Sequence, residues 1–298
     1  MSTEALAVRF RAACARYAER AHPELDATAL ATACRDVLND DSTADLTAGL
    51  PVDGVSITIT SHDPWRLPVG ASDPAAAAAE RWQFTSGGGP STRSWATGEP
   101  VVTDRELLQR AWPVLHDLLH RHTPYRSTVT LPLHLPRQPS QQHGEPARGV
   151  VDLYFHRERP VTSSGPGATP SAGLARAQAV AALISTELWG SEAPTPEVLG
   201  SPGAGTTAPP AGRGPGRAPT HPAHPGQPAW MDAPGARRRQ RVWMVLSMAR
   251  QALRTPDADA LALLRATAYT RDRTLEALAD EIVEGHVPLR SLHTPPHA

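Results

Sequence analysis

Catalysis and metal binding need particular side chains at particular spacings, and the candidates in this chain fall short of them. His116, His120 and His122 form an H-x3-H-x-H group whose first two members share a helix face one turn apart, as paired metal ligands do. No cysteine or acidic side chain is spaced to complete a tetrahedral set, and Asp117 points to another side of the same helix. The group reads as surface histidines, and no metal is expected. Gly87-Gly88-Gly89-Pro90 has the glycines of a phosphate cradle but neither a following Lys-Ser/Thr nor a strong helix start, which makes it a loop between sheet elements. Nucleophile elbow, His-Glu-x-x-His, calcium loop and Cys-x-x-Cys are all missing, so catalytic residues: none, cofactors: none, and the chain is not expected to be an enzyme. Cys14 and Cys34 lie in apolar helical patterns, where a small buried thiol is the ordinary reading.

Charge is more informative. All 29 basic residues are arginine. Residues 1–190 carry 17 Arg against 20 acids, 191–235 carry 2 against 3, and 236–298 carry 10 against 7, so the C-terminal piece is the basic one. Its first helical stretch bears Arg237, Arg238, Arg239, Arg241, Arg250 and Arg254 with no acid, whereas its third bears Glu276, Asp280, Glu281 and Glu284 with no base. A DNA-reading helix-turn-helix would present that third helix to phosphates, which would repel it. RNA loops are read by arginine planes and aromatic stacking, and Tyr269 sits one turn from Arg265 and two residues before Arg271. The expected RNA-binding set is therefore Arg238, Arg241, Arg265, Tyr269, Arg271 and Arg273. The plainer alternative makes residues 237–241 a solvated helix start and Tyr269 a core residue.

These groups need a scaffold. Hydrophobic residues make up 40% and charged residues 20% of the 298, which fits a packed globular protein. No apolar stretch approaches the roughly 18 residues of a spanning helix, and the N-terminus lacks a secretory pattern, so a cytoplasmic location is expected. Residues 191–235 hold 11 Pro and 8 Gly with few large apolar side chains, predicting a disordered linker between two units. Upstream, helical periodicity covers 6–20, 30–38, 106–122 and 171–188. Alternation marks strands at Val55, Ile57 and Ile59, at 127–135 and at 149–155, the last two forming an antiparallel hairpin across a polar loop at 136–146. Helices flanking an antiparallel sheet make an α+β unit. Downstream, 237–253, a segment opened by Thr255-Pro256 as cap and first helical residue, and a third from near Thr274 to about Gly285 predict three short helices. Leu275, Leu278, Ala279, Ile282 and Val283 give the third an apolar stripe.

Leu50-Pro-Val-Asp-Gly-Val-Ser-Ile57, Glu80-Arg-Trp-Gln-Phe-Thr85, Gly98-Glu-Pro-Val101, Trp112-Pro113, Leu131-Pro-Leu133 and Asp152-Leu-Tyr154 run in the order of a GAF sensor domain, and most of 25–190 resembles the GAF domain of actinobacterial GAF-ANTAR regulators. That family's usual Gly-Glu-Gly-Pro-Cys stands here as Gly87-Gly88-Gly89-Pro90-Ser91. Ala260-Leu261, Leu264-Arg265-Ala266-Thr-Ala268-Tyr269, Asp272-Arg-Thr-Leu275 and Ala279-Asp-Glu-Ile-Val283 likewise resemble the three-helix ANTAR module, with Val245 and Ser247 where relatives usually keep Ala and Gly. The resemblance implies residues 1–190 as a GAF-like sensor domain, 191–235 as linker and 236–290 as an ANTAR-like RNA-binding domain. It implies an RNA-binding transcription antitermination regulator that senses an unknown small-molecule or protein signal and binds a stem-loop antiterminator RNA. The alternative is a protein-interaction or dimerisation regulator whose ANTAR-like unit no longer binds RNA. Trp82, Phe84, Trp95 and Trp112 line a sensor pocket or fill the core. Trp243, Met244 and Met248 widen the apolar side of the first C-terminal helix, either as a homodimer face or as a broad core face.

Overall fold

The computed structural model describes residues 2–18, 27–40, 51–62, 65–134, 148–158, 171–189 and 233–293. In chain order its elements are α1 (Thr3–Ala18), α2 (Ala27–Asn39), β1 (Gly54–His62), β2 (Trp65–Ala71), α3 (Pro74–Ser86), α4 (Pro90–Thr97), β3 (Val101–Thr103), α5 (Arg105–Ala111), α6 (Pro113–His122), β4 (Ser127–Leu133), β5 (Gly149–Phe155), α7 (Ala172–Trp189), α8 (Pro234–Leu253), α9 (Asp257–Thr270) and α10 (Leu275–Val283). The expected linker lies outside the described residues up to position 232, as does the hairpin loop at 136–146; Pro234 and Gly235, assigned to the linker from composition, form the first turn of α8.

The five strands form one antiparallel sheet in the order β2-β1-β5-β4-β3, with the expected pairing of β4 and β5. Register aligns Val55 with Leu153 and Leu153 with Val129, and likewise Ile57 with Val151 and Leu131, so apolar rows run across three strands on one face. Phe10, Leu30, Val37, Val180 and Ile184 of α1, α2 and α7 cover those rows, all nearly inaccessible to solvent. Deleting one such side chain, as in Ile57→Ala, costs about 2–5 kcal/mol. Cys14 and Cys34 are buried free thiols in this layer, and burial pushes Cys14 up to about 12.

The opposite face departs from the expected half-buried strands. Its positions are polar, Ser56, Thr58, Thr60, Thr128, Thr130, Asp152 and Tyr154, yet all are buried because α3 and α4 pack over them. Asp152 accepts hydrogen bonds from Ser91 Oγ (2.8 Å), Thr130 Oγ1 (2.6 Å) and Gln83 Nε2 (3.5 Å), and burial holds its carboxyl above the ordinary range against those donors. Ser56 and Tyr154 hydroxyls bond at 3.1 Å.

Both covering helices escape apolar periodicity. In α3 an alanine run carries no stripe, but Asp73 caps it by accepting from the Ala76 N–H (2.9 Å), Pro74 opens it, and Gly87 ends it at φ 82°. The glycine loop expected between sheet elements instead joins α3 to α4, and Pro90 starts that helix. The expected helix over 106–122 is two: Pro113 has no N–H for the ladder and its ring clashes with the carbonyl four residues back, so the chain breaks at Trp112.

The last three helices form as predicted, with adjusted ends. Thr255 is not the cap of α9; Pro256 takes that position with no side-chain bond, after Arg254 turns left-handed at φ 51°. Thr274 caps α10 by accepting from Ala277 N–H (3.2 Å). Leu275, Leu278, Ala279 and Ile282 are buried, whereas Val283, expected on the same stripe, is 44% exposed and Glu276 is buried in its place. No helix among the described residues is long and apolar enough to cross a membrane.

Candidate functional site

The three-helix unit packs against β2 and α3, and the seam is built around one side chain. Arg239 was expected on the solvated basic surface; it is instead fully buried. Its Nε donates to Glu276 Oε1 (2.9 Å), its Nη2 to both oxygens of Glu80 (3.0 and 2.9 Å) and its Nη1 to the Arg66 carbonyl (3.0 Å). The guanidinium carbon lies 3.4 Å from the centroid of the Phe84 ring, the stacked arrangement that favours arginine over lysine. Local sequence places each partner: Glu80 and Phe84 lie four apart on α3, one turn above the other, and Glu276 follows the α10 cap. Burial holds the Glu276 carboxyl above its ordinary range despite Arg239, and the like charge of Glu80 adds to the effect. Around this core the Leu275 N–H donates to Thr85 Oγ1 (2.9 Å), and Trp243 packs on Trp65 and Phe84 with ring centroids 4.4 and 5.5 Å away. Gly235 permits the approach, since a Cβ there would stand 2.7 Å from the Pro68 carbonyl oxygen.

A second, exposed set of contacts holds the turn between α9 and α10. Asp272, left-handed at φ 54°, accepts from Arg121 Nη1 (2.7 Å) and lies 2.8 Å from His122 Nε2. The Tyr269 hydroxyl donates to Asp117 (3.4 Å), which also pairs with Arg121 (2.6 Å). Asp117 is thereby held below the ordinary carboxylate range, mainly by its bond from Arg121.

Of the expected RNA-binding residues, Arg238 and Arg271 are exposed, Arg241 pairs with Asp280 (2.7 Å) and Arg273 with Glu281 (3.3 Å). Tyr269 is 39% exposed, which corrects the alternative that made it a core residue. Arg265 turns inward: its guanidinium lies against Gly87 and 5.5 Å from the Phe84 ring, so it faces α3 rather than solvent. Val245 is buried in the helical core, and the Ser247 hydroxyl donates to the Trp243 carbonyl one turn back. Trp243, read with Met244 and Met248 as one widened apolar side, is covered within the chain; Met244 and Met248 remain 46% and 40% exposed.

The four candidate sensor aromatics do not meet in one pocket. Trp82 is buried and stacked on His122 (4.1 Å), Phe84 lies under Arg239, and Trp95 and Trp112 are half-buried elsewhere on the same side of the sheet. A cleft of about 390 Å³ opens instead at the seam, between Pro68 and Val69 of β2, Ala77, Glu80 and Arg81 of α3, and Gly235, Arg238 and Glu276 of the helical unit. Composition hides it because its walls come from segments more than 150 residues apart. A second concavity of about 270 Å³ gathers Arg105, His116, His120, Arg126, His156 and Arg157. Burial, then the nearby Arg105, lowers the proton affinity of His116, and no group of three potential metal ligands occurs among the described residues. No family model matches the chain, and no curated protein or solved structure matches it either.

Proposed function

We propose that this chain is a cytoplasmic, signal-responsive regulator in which the sheet unit senses and the three-helix unit binds structured RNA, acting as a transcription antiterminator. The supporting observation is a set of exposed basic and aromatic side chains: Arg238 and Arg241 in the first turns of the acid-free helix α8, Arg250 in its last turn and Arg254 at its C-cap, and Tyr269 and Arg271 at the α9–α10 turn. Arginines supply phosphate pairing and the half-exposed tyrosine a stacking plane. Asp280, Glu281, Asp117 and Asp272 already engage Arg241, Arg273, Tyr269 and the turn, so RNA competes with these contacts and a signal that loosens them raises affinity. RNA crosslinked to the full chain in its own cells and sequenced tests the reading. A recurrent paired stem-loop is expected, and an empty library overturns it.

The second reading, a protein-interaction or dimerisation regulator, is favoured by the arginines drawn into the chain itself, Arg239 and Arg265 above all, and by the exposed Met244 and Met248. Such adjacent flexible apolar side chains suit a second copy of α8.

A further inference from the structure

The concavity of about 270 Å³ carries a surplus of positive charge. Arg105 opens α5, Arg126 stands just before β4 and Arg157 just after β5, and the acid among the lining residues is Glu158. Three guanidinium groups against one carboxylate leave a formal surplus of two positive charges before any imidazole is protonated. Glu158 lies 3.5 Å from Arg105, and both side chains are more than half exposed. Two further acids stand outside the lining and are engaged there: Asp53 accepts from the His156 main-chain N–H (2.6 Å) and lies 3.2 Å from its Nδ1, and Asp117 pairs with Arg121 (2.6 Å). The cations themselves are held in place. Arg126 Nη1 donates to the carbonyls of Thr123 (2.9 Å) and Tyr125 (2.8 Å), and the His156 ring stacks on Tyr125 (5.4 Å). His116 and His120, expected as surface histidines, line the cavity with nearly parallel rings 6.1 Å apart. Burial lowers the proton affinity of His116, and Arg105, His120 and Arg126 lower it further against the opposing pull of Asp117, as a positive interior does.

We infer that this cavity binds a doubly charged oxyanion, a phosphate group carried as inorganic phosphate or as a small monoester, between Arg105, Arg126 and Arg157. Guanidinium groups pair with phosphate oxygens through charge-assisted hydrogen bonds, and a dianion cancels the whole surplus where a singly charged ion leaves half of it. Like charges fixed in one concavity repel one another, so a counter-ion shared by several of them relieves that repulsion on binding. A nucleic-acid backbone offers only singly charged phosphates, which sets this site apart from the RNA reading.

Isothermal titration of the full chain with sodium phosphate, phenyl phosphate and phenyl sulfate tests the site at about pH 8, where the phosphomonoester is doubly charged and its sulfate isostere singly charged. Saturable one-to-one binding of phosphate or phenyl phosphate is expected, with a Kd of about 0.1–1 mM for probes of this size, and the tighter of the two tells free phosphate from a monoester as the source. Phenyl sulfate should bind at least about tenfold more weakly than phenyl phosphate. Arg105→Gln/Arg157→Gln changes two exposed lining side chains and should weaken the tighter probe by at least about tenfold, whereas Arg93→Gln/Arg110→Gln removes the same charge outside the cavity and should keep its affinity within about twofold. His120→Glu, at a further exposed lining position, puts an acid into the cavity and should abolish binding; it decides the matter if the double variant does not fold. Absence of saturable heat with both phosphates up to about 10 mM, equal affinity for phenyl sulfate, full affinity in folded Arg105→Gln/Arg157→Gln or His120→Glu, or an equal loss in Arg93→Gln/Arg110→Gln overturns the assignment.

Discussion

Replacing Arg239 with methionine keeps an unbranched, flexible side chain but deletes the guanidinium and its charge. Three acceptor groups lose donors at once: the Glu80 carboxylate, Glu276 Oε1 and the Arg66 carbonyl. The Phe84 ring also loses a cation 3.4 Å from its centroid. Breaking a buried ion pair on one side costs about 3–5 kcal/mol, since a buried charge is left uncompensated. Here two carboxylates are stranded, but Glu276 can shed its charge by taking up a proton, as its raised proton affinity already favours. The loss should therefore be largest near pH 8 and smaller near pH 5. Urea unfolding followed by tryptophan fluorescence, in which Trp243 and Trp65 report the seam directly, measures it at both pH values. The companion variant Arg239→Met/Glu80→Leu/Glu276→Leu removes every charge and should recover most of the loss, because well-packed apolar replacements of buried ion clusters are often neutral or better. A single-variant cost below about 1 kcal/mol, or a triple variant as unstable as the single, would refute the reasoning.

Ser91→Ala leaves the buried Asp152 carboxylate short of a donor and should cost about 1–3 kcal/mol in urea unfolding. Glu276 binds its proton more tightly folded than unfolded, so its contribution to stability is full below the ordinary 4.5 and is lost as pH rises through the raised value. Glu276→Gln removes that slope, and thermal melts should show the variant gaining on the parent between pH 5 and pH 8. Arg271→Gln should flatten the dependence of log affinity for structured RNA on log salt by about 0.7–0.9, and Asp272→Asn, which keeps the left-handed turn but drops the charge holding it, should tighten RNA binding in filter assays. If α8 pairs with a second copy, Met244→Glu/Met248→Glu should turn a dimer into a monomer in sedimentation without unfolding the helical unit, since both side chains lie outside its core.

Elements with a strong period were legible. Strand β5 emerged with its observed ends, β4 and β5 pair as alternation predicts, and α10 follows its apolar stripe up to Ile282. What escaped was tertiary in origin. Alternation at Val55, Ile57 and Ile59 says that one face is buried, but says nothing of Ser56 and Thr58, whose burial depends on α3 and α4. The alanine run of α3 has high helix propensity and no stripe, so only Asp73-Pro74 and Gly87 betray it. The three-residue β3 and the Pro68-bearing β2 are too short or too irregular for a period of two. Arg239 looked like its neighbours because composition does not tell a buried arginine from a solvated one; its position three residues before Val242 on the inward side of α8 was the available signal.

Partners at the seam are far apart along the chain: Arg239 bonds to residue 66 and residue 80, and Leu275 to Thr85. During synthesis the sheet unit is complete long before its lid of helices leaves the ribosome. For that interval Phe84 and Trp65 lack the Trp243 that covers them, and Glu80 lacks its guanidinium. The nascent protein thus passes through a stage with an uncovered aromatic patch beside an uncompensated acid, the kind of surface that chaperones hold. Docking closes loops of 159 and 190 residues, and such non-local closure carries a large entropic cost before any contact offsets it.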